Sequence, residues 1–145
     1  MRPVMPALLL LALSACQSDM PDGTLPGDRG DTQPFGEIAM DETLRFTGTE
    51  PFWGGEVTGE RLTYKTPDDP DGQTLTVSRF AGRGGLSYSG MIDGAGFTMA
   101  ITTGRCSDGM SDRLYPYVVT LQLEGEMRTG CAWSDRHPFE GPQEP

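Results

Sequence analysis

Residues 117–133 read YVVTLQLEGEMRTGCAW, and the parity of their side chains decides how the rest of the chain is understood. Successive side chains of a strand point to opposite sides. Tyr117, Val119, Leu121 and Leu123 therefore share one face, with Val118, Thr120 and Gln122 on the other. In the run that follows, Met127, Cys131 and Trp133 share a face, and Gly125-Glu126 supplies the turn between the two runs. A β-hairpin is expected here.

The same period of two extends outward from this hairpin. Phe97, Met99 and Ile101 alternate with Thr98, Ala100 and Thr102, and Leu62 and Tyr64 lie on a common face. Leu75 and Val77 point inward before a slip of register, through a bulge, at Phe80. Turn signals stand at Gly59-Glu60 and Asp93-Gly94. With LRFTG (44–48), PFWGGEV (51–57) and LSYSGMI (86–92) added, about eight short strands occupy some ninety residues. No segment carries a sustained helical period, and 20 glycines and 12 prolines supply turns. The chain is expected to be all-β and to form a small antiparallel barrel, because closure removes unpaired edges. A two-sheet sandwich is the alternative.

Residues 1–15, MRPVMPALLLLALSA, are a leader rather than fold: Arg2 gives a positive start to an apolar run too short to span a bilayer. Leu13-Ser14-Ala15-Cys16 resembles the bacterial lipobox. That resemblance implies cleavage before Cys16 and lipidation of it, and Gln17 in place of Asp implies sorting to the outer membrane. A stable anchor needs at least two acyl chains, each buried CH₂ contributing about 0.8 kcal/mol, and a triacylated cysteine exceeds that requirement. The protein is thus expected in the cell envelope, lipid-anchored to the outer membrane and facing the periplasm. Residues 16–41 would be the lipidated cysteine and a flexible tether rich in Pro, Gly and Asp, 42–134 the barrel, and 135–145 a loose tail.

With Cys16 committed to lipid, Cys106 and Cys131 remain, and in an oxidising compartment they are expected to pair. Closing a loop of about 26 residues stabilises by about 3–4 kcal/mol on the chain-entropy model. Loss of Arg2 with the leader leaves 10 basic residues against 21 acidic ones, a net charge near −11. Such a chain repels phosphate backbones, so nucleic acid is not an expected partner, whereas a basic protein is attracted.

GTEPFW (48–53), LTYKTP (62–67), CSDGMSDRLYPY (106–117) and GCAW (130–133) resemble the motifs of an uncharacterised family of small bacterial envelope proteins. The resemblance implies a secreted or lipid-anchored β-rich domain and carries no established activity. More weakly, the cysteine pair and GLSYSG (85–90) are similar to membrane-bound inhibitors of c-type lysozyme. That similarity implies a loop carrying Ser87 and Tyr88 and a basic lysozyme as partner.

The chemistry-bearing residues are few. Asp108 and Asp112 are candidate paired carboxylates, with Arg105 or Arg113 tuning them. The competing reading is a turn at Asp108-Gly109 with Asp112 in a capping role. His137 is the lone histidine and falls in the expected tail, which argues against a Ser-His-Asp triad in the ordered domain. Two cysteines and one distant histidine do not make a zinc set. DDPDGQTLTVS fails as an EF-hand, because Gly72 at the sixth position puts Pro67 first and Ser78 twelfth. No cofactor or metal is expected. Trp53 or Phe52 should point inward and the other outward, and Trp53 is a candidate for lining a barrel mouth. The resulting expectation is a lipid-anchored, non-catalytic binding module. The alternatives are an envelope enzyme using Asp108 and Asp112, or a purely structural lipoprotein.

Overall fold

The computed structural model describes residues 33–143. The leader, Cys16 and most of the expected tether lie outside the described residues. Eight strands follow one another: β1 (Leu44–Thr49), β2 (Phe52–Thr58), β3 (Arg61–Thr66), β4 (Asp69–Ala81), β5 (Gly85–Ile92), β6 (Ala95–Cys106), β7 (Tyr115–Leu123) and β8 (Glu126–Ser134). Each pairs antiparallel with the next, and β8 returns to β1 through Leu44↔Ser134 and Thr47↔Cys131. The ring is closed, so the expected barrel is what this chain forms and the sandwich is excluded.

Local chemistry sets the hairpins. Asp93 and Gly94 have φ of 49° and 80°, and Glu124 and Gly125 have 54° and 80°. Two left-handed residues in a two-residue loop match the right-handed twist of the flanking strands. Because Leu123 pairs with Glu126, the last turn is Glu124-Gly125, one residue earlier than expected from the sequence.

Tyr117, Val119, Leu121 and Leu123 are buried together with Phe97, Met99 and Ile101, which completes the inward face read from the alternation. Phe46, Trp53, Tyr64 and Phe97 run through the interior as a chain of rings with centroids 6.0, 6.4 and 5.7 Å apart. A small barrel filled in this way is a packed core rather than a ligand cavity. Room for the Trp53 indole comes from missing side chains. A Cβ on Gly48 would stand 2.2 Å from its Nε1, and one on Gly130 would stand 2.2 Å from the Thr47 carbonyl and 3.0 Å from the indole.

That packing also decides which way β8 faces. Met127, Cys131 and Trp133 share a face, as the alternation implies, and it is the outer one: the pairs Tyr117↔Ala132 and Leu121↔Arg128 turn residues 128, 130 and 132 inward. Met127 is 73% exposed. Beside Trp53 and Tyr117 only small residues fit, so the large apolar residues of β8 face out. The expected slip at Phe80 is absent. Pairing is continuous from Val77↔Gly90 to Ala81↔Leu86, and Phe80 is simply exposed. The irregularity lies between Tyr64↔Gln73 and Thr66↔Asp69, where Gly72 adopts a φ of 79°.

The Cys106–Cys131 disulfide is formed, with Cα atoms 5.6 Å apart. It belongs to a second apolar cluster on the outer face, with Tyr115, Val118, Trp133 and Phe139. Residues 135–143 are therefore not loose. Leu114 and Glu140 exchange two main-chain hydrogen bonds of 2.9 and 2.8 Å, and the Arg113 guanidinium stacks 4.5 Å over the Phe139 ring. An outward patch of Tyr115, Cys131 and Trp133 is costly in water, and this strap covers it.

Candidate functional site

Antiparallel order puts alternate connections at the same end of the barrel. The β2–β3, β4–β5 and β6–β7 connections share one end with residues 33–43. The four tight connections at 50–51, 67–68, 93–94 and 124–125 share the other.

The first end is plugged. Residues 33–43, expected as tether up to 41, lie across it: the Phe35 amide donates to the Gly82 carbonyl at 2.7 Å, and Ile38 is 2% exposed within the core. Beneath them Arg79, the cross-strand partner of Tyr88, donates to the Ile38 carbonyl at 2.7 Å. Burial pushes the Tyr88 hydroxyl up, partly offset by Arg79.

Glu42 ties this plug to the chain's other end. Its carboxylate accepts from Ser134 Oγ and the Ala39 amide and lies 3.0 Å from His137 Nδ1. Burial pushes this carboxyl up, but bonds from Ser134, His137 and Ala39 outweigh it and hold the group below its ordinary value. The sole histidine is thus placed in the fold, contrary to the expectation of a loose tail, and beside a serine and a carboxylate. The order is wrong for nucleophilic catalysis. Ser134 is fully buried, gives its proton to Glu42, and sits on the same ring nitrogen as the carboxylate.

Two clefts open at the opposite end, where Thr49 donates to the Asp108 carbonyl at 3.2 Å and so brings the β6–β7 connection to the rim. A narrow cleft of about 230 Å³ is lined by Tyr64, Asp69, Ile92, Asp93, Leu123 and Glu124, among others. A wider one of about 680 Å³ runs past Glu50, Pro51, Phe52, Pro67 and Asp68. Thr66 and Arg128 line both, and Arg128 is the one basic residue in either lining. It projects from an inward position of β8, donates to Tyr64 Oη at 2.9 Å, and pairs with Glu126 at 3.0 Å.

The residues singled out from sequence lie elsewhere. Trp53, 4% exposed, is interior packing one ring away from Tyr64, and Phe52 points out, as the alternation implied. GLSYSG is not a loop: it begins β5, with Tyr88 buried and Ser87 paired to Phe80 and Ala100. The inhibitor-type loop is therefore not formed, because alternation there serves the core. Asp108 closes a turn. Its carboxylate accepts from the amides of Met110 (3.0 Å) and Ser111 (2.8 Å) and from the hydroxyls of Ser111 (2.7 Å) and Tyr115 (3.1 Å). Asp112 is exposed and takes no part in those bonds.

Burial raises the Asp108 carboxyl, but these four bonds outweigh it and hold the group at about 2. A carboxylate depressed from its ordinary 3.8 stabilises the fold fully above that value, and the contribution is lost as pH falls through about 2. Asp108→Ala is expected to cost about 2 kcal/mol at pH 7, and its deficit relative to the parent should shrink towards pH 2. Urea denaturation of both proteins across that range checks it, and a deficit independent of pH would remove the carboxylate from the explanation.

Arg128 does not stand out in the sequence, because its inward parity shows only once Gly130 and Ala132 are known to face the interior. A charge on the same parity as Gly130 and Ala132 was the available signal. Comparison of the chain with family models, curated proteins and solved structures finds no match.

Proposed function

We propose that this protein is a lipid-anchored binding module of the cell envelope, held by Cys16 and taking its ligand at the mouth around Arg128. One observation carries the reading: the chain plugs one end of a filled barrel with its own residues and leaves clefts at the other, converging on a single inward cation. Small barrels bind in clefts that set apolar walls beside a few convergent polar groups, and the wider cleft has such walls in Pro51, Phe52 and Pro67. The Asp108 turn supports a non-catalytic reading, since a carboxylate held near 2 and saturated with donors is a poor general base. The lipobox-like Leu13–Cys16 and Gln17 support anchoring in the outer membrane. A basic protein partner is retained on charge; Tyr88 no longer contributes to it.

Two measurements test the proposal. Cys16→Ser should abolish acyl labelling and move the protein out of the membrane fraction, and unchanged fractionation would sink the anchor. Amide shifts of the isotope-labelled Cys16→Ser chain, titrated with a panel of peptides, glycans and nucleotides, should change around Thr66, Asp93, Leu123 and Arg128. Changes confined to other faces for every ligand would remove the mouth as the site.

A further inference from the structure

We infer that the mouth takes an extended basic peptide segment, docked by a main-chain carbonyl on Arg128. The inference rests on the mouth being the ligand site, and the barrel's own plug supplies the template. At the plugged end Tyr88 and Arg79 are cross-strand neighbours, and the arginine donates to a peptide carbonyl, that of Ile38, at 2.7 Å. The Ile38 side chain enters the core beside it. The opposite end repeats half of that arrangement. Tyr64 and Arg128 form the pair, at 2.9 Å, and one guanidinium nitrogen meets Glu126 in place of a carbonyl.

Glu126 is a weak occupant. Its side chain is 67% exposed, and an ion pair held in water contributes little. A peptide carbonyl brought in with apolar neighbours that exclude water would displace it, as hydrogen bonds to charged donors strengthen in a drier site. Those neighbours are present: Ile92 and Leu123 flank the narrow cleft, and Pro51, Phe52 and Pro67 the wider one.

Charge selects the class of peptide. Asp69, Asp93 and Glu124 line the narrow cleft, and Glu50 and Asp68 the wider one, against the single Arg128. An anionic ligand would meet net repulsion there, whereas lysine or arginine side chains flanking the docked carbonyl find carboxylates on both sides.

The probe is the end-blocked pentapeptide Lys-Leu-Lys-Leu-Lys, with its glutamate twin as control, titrated against the Cys16→Ser chain. The basic peptide is expected to move the amides of Thr66, Ile92, Leu123 and Arg128, and the acidic one to leave them in place. Arg128→Gln should weaken binding about tenfold, the loss expected for one charge-assisted hydrogen bond. Simple attraction between opposite charges predicts the reverse, since removing a cation makes the mouth more acidic. Tighter binding by Arg128→Gln would therefore overturn the inference. Should that variant not fold, Glu126→Gln decides: carbonyl docking predicts tighter binding because Arg128 is released, and charge attraction predicts weaker binding. A different ligand that perturbs the mouth while the basic peptide does not would end this inference and leave the mouth as a site. Failure of every ligand there would end both.

Discussion

Replacing both Cys106 and Cys131 by alanine is expected to lower stability by about 2–5 kcal/mol without changing the fold. The bond joins residues 25 apart and encloses the β6–β7 connection with all of β7. Severing it returns loop freedom to the unfolded chain and loosens the outer cluster of Tyr115, Trp133 and Phe139, whose centroids lie 5.2 to 5.8 Å apart. The inner core does not use the cysteines, so the barrel should persist. Urea denaturation checks this, and reductant should bring the parent's midpoint to that of the double variant. Complete unfolding of the variant in buffer would mean that the staple, not the filled interior, holds the barrel closed.

Glu42→Ala should cost about 3–5 kcal/mol, the range for removing one partner of a buried charged network. The carboxylate is almost wholly buried and serves Ser134, His137 and the Ala39 amide at once. Its removal leaves the fully buried Ser134 hydroxyl without that acceptor and unties the plug from the strap. The sign with pH follows from the depressed carboxyl. Its contribution is complete above the ordinary value of 4.5 and disappears as pH falls through the lowered folded value. Thermal unfolding should therefore separate parent and variant widely at pH 7 and less in acid. Amide exchange should quicken at both Ile38 and Ser134 in the variant. A loss below about 1 kcal/mol would reduce the cluster to a surface contact.

What could be read from the sequence follows the size of inward residues. β6 and β7 declare themselves because Phe97, Met99, Ile101, Tyr117, Val119 and Leu121 are large, apolar and alternate. β8 declares itself less because its interior side must be small, with Gly130 and Ala132 yielding space to Trp53 and Tyr117. The same smallness conceals Arg128, a charge that becomes informative only when its parity is known. The plug and the strap escaped because each is short and largely polar, and the residues that seat them, Ile38 and Phe139 among others, find their partners far along the chain. The quoted motifs turned out largely architectural. Gly48 and Gly130 make room for Trp53, Asp108 knots the turn before Tyr115, and Cys131 carries the staple.

Closure of β8 onto β1, with Glu42 bonded to Ser134 and His137, makes the described chain nearly circular. In such a ring no strand is first except by where the polypeptide happens to start. A peptide link from the strap back to the plug, with a new opening cut at a hairpin such as Asp93-Gly94, would leave every strand beside the same two neighbours. The architecture is thus indifferent to circular permutation, and the rim of hairpins becomes a set of interchangeable places for chain ends or insertions, each delivering its cargo at the mouth.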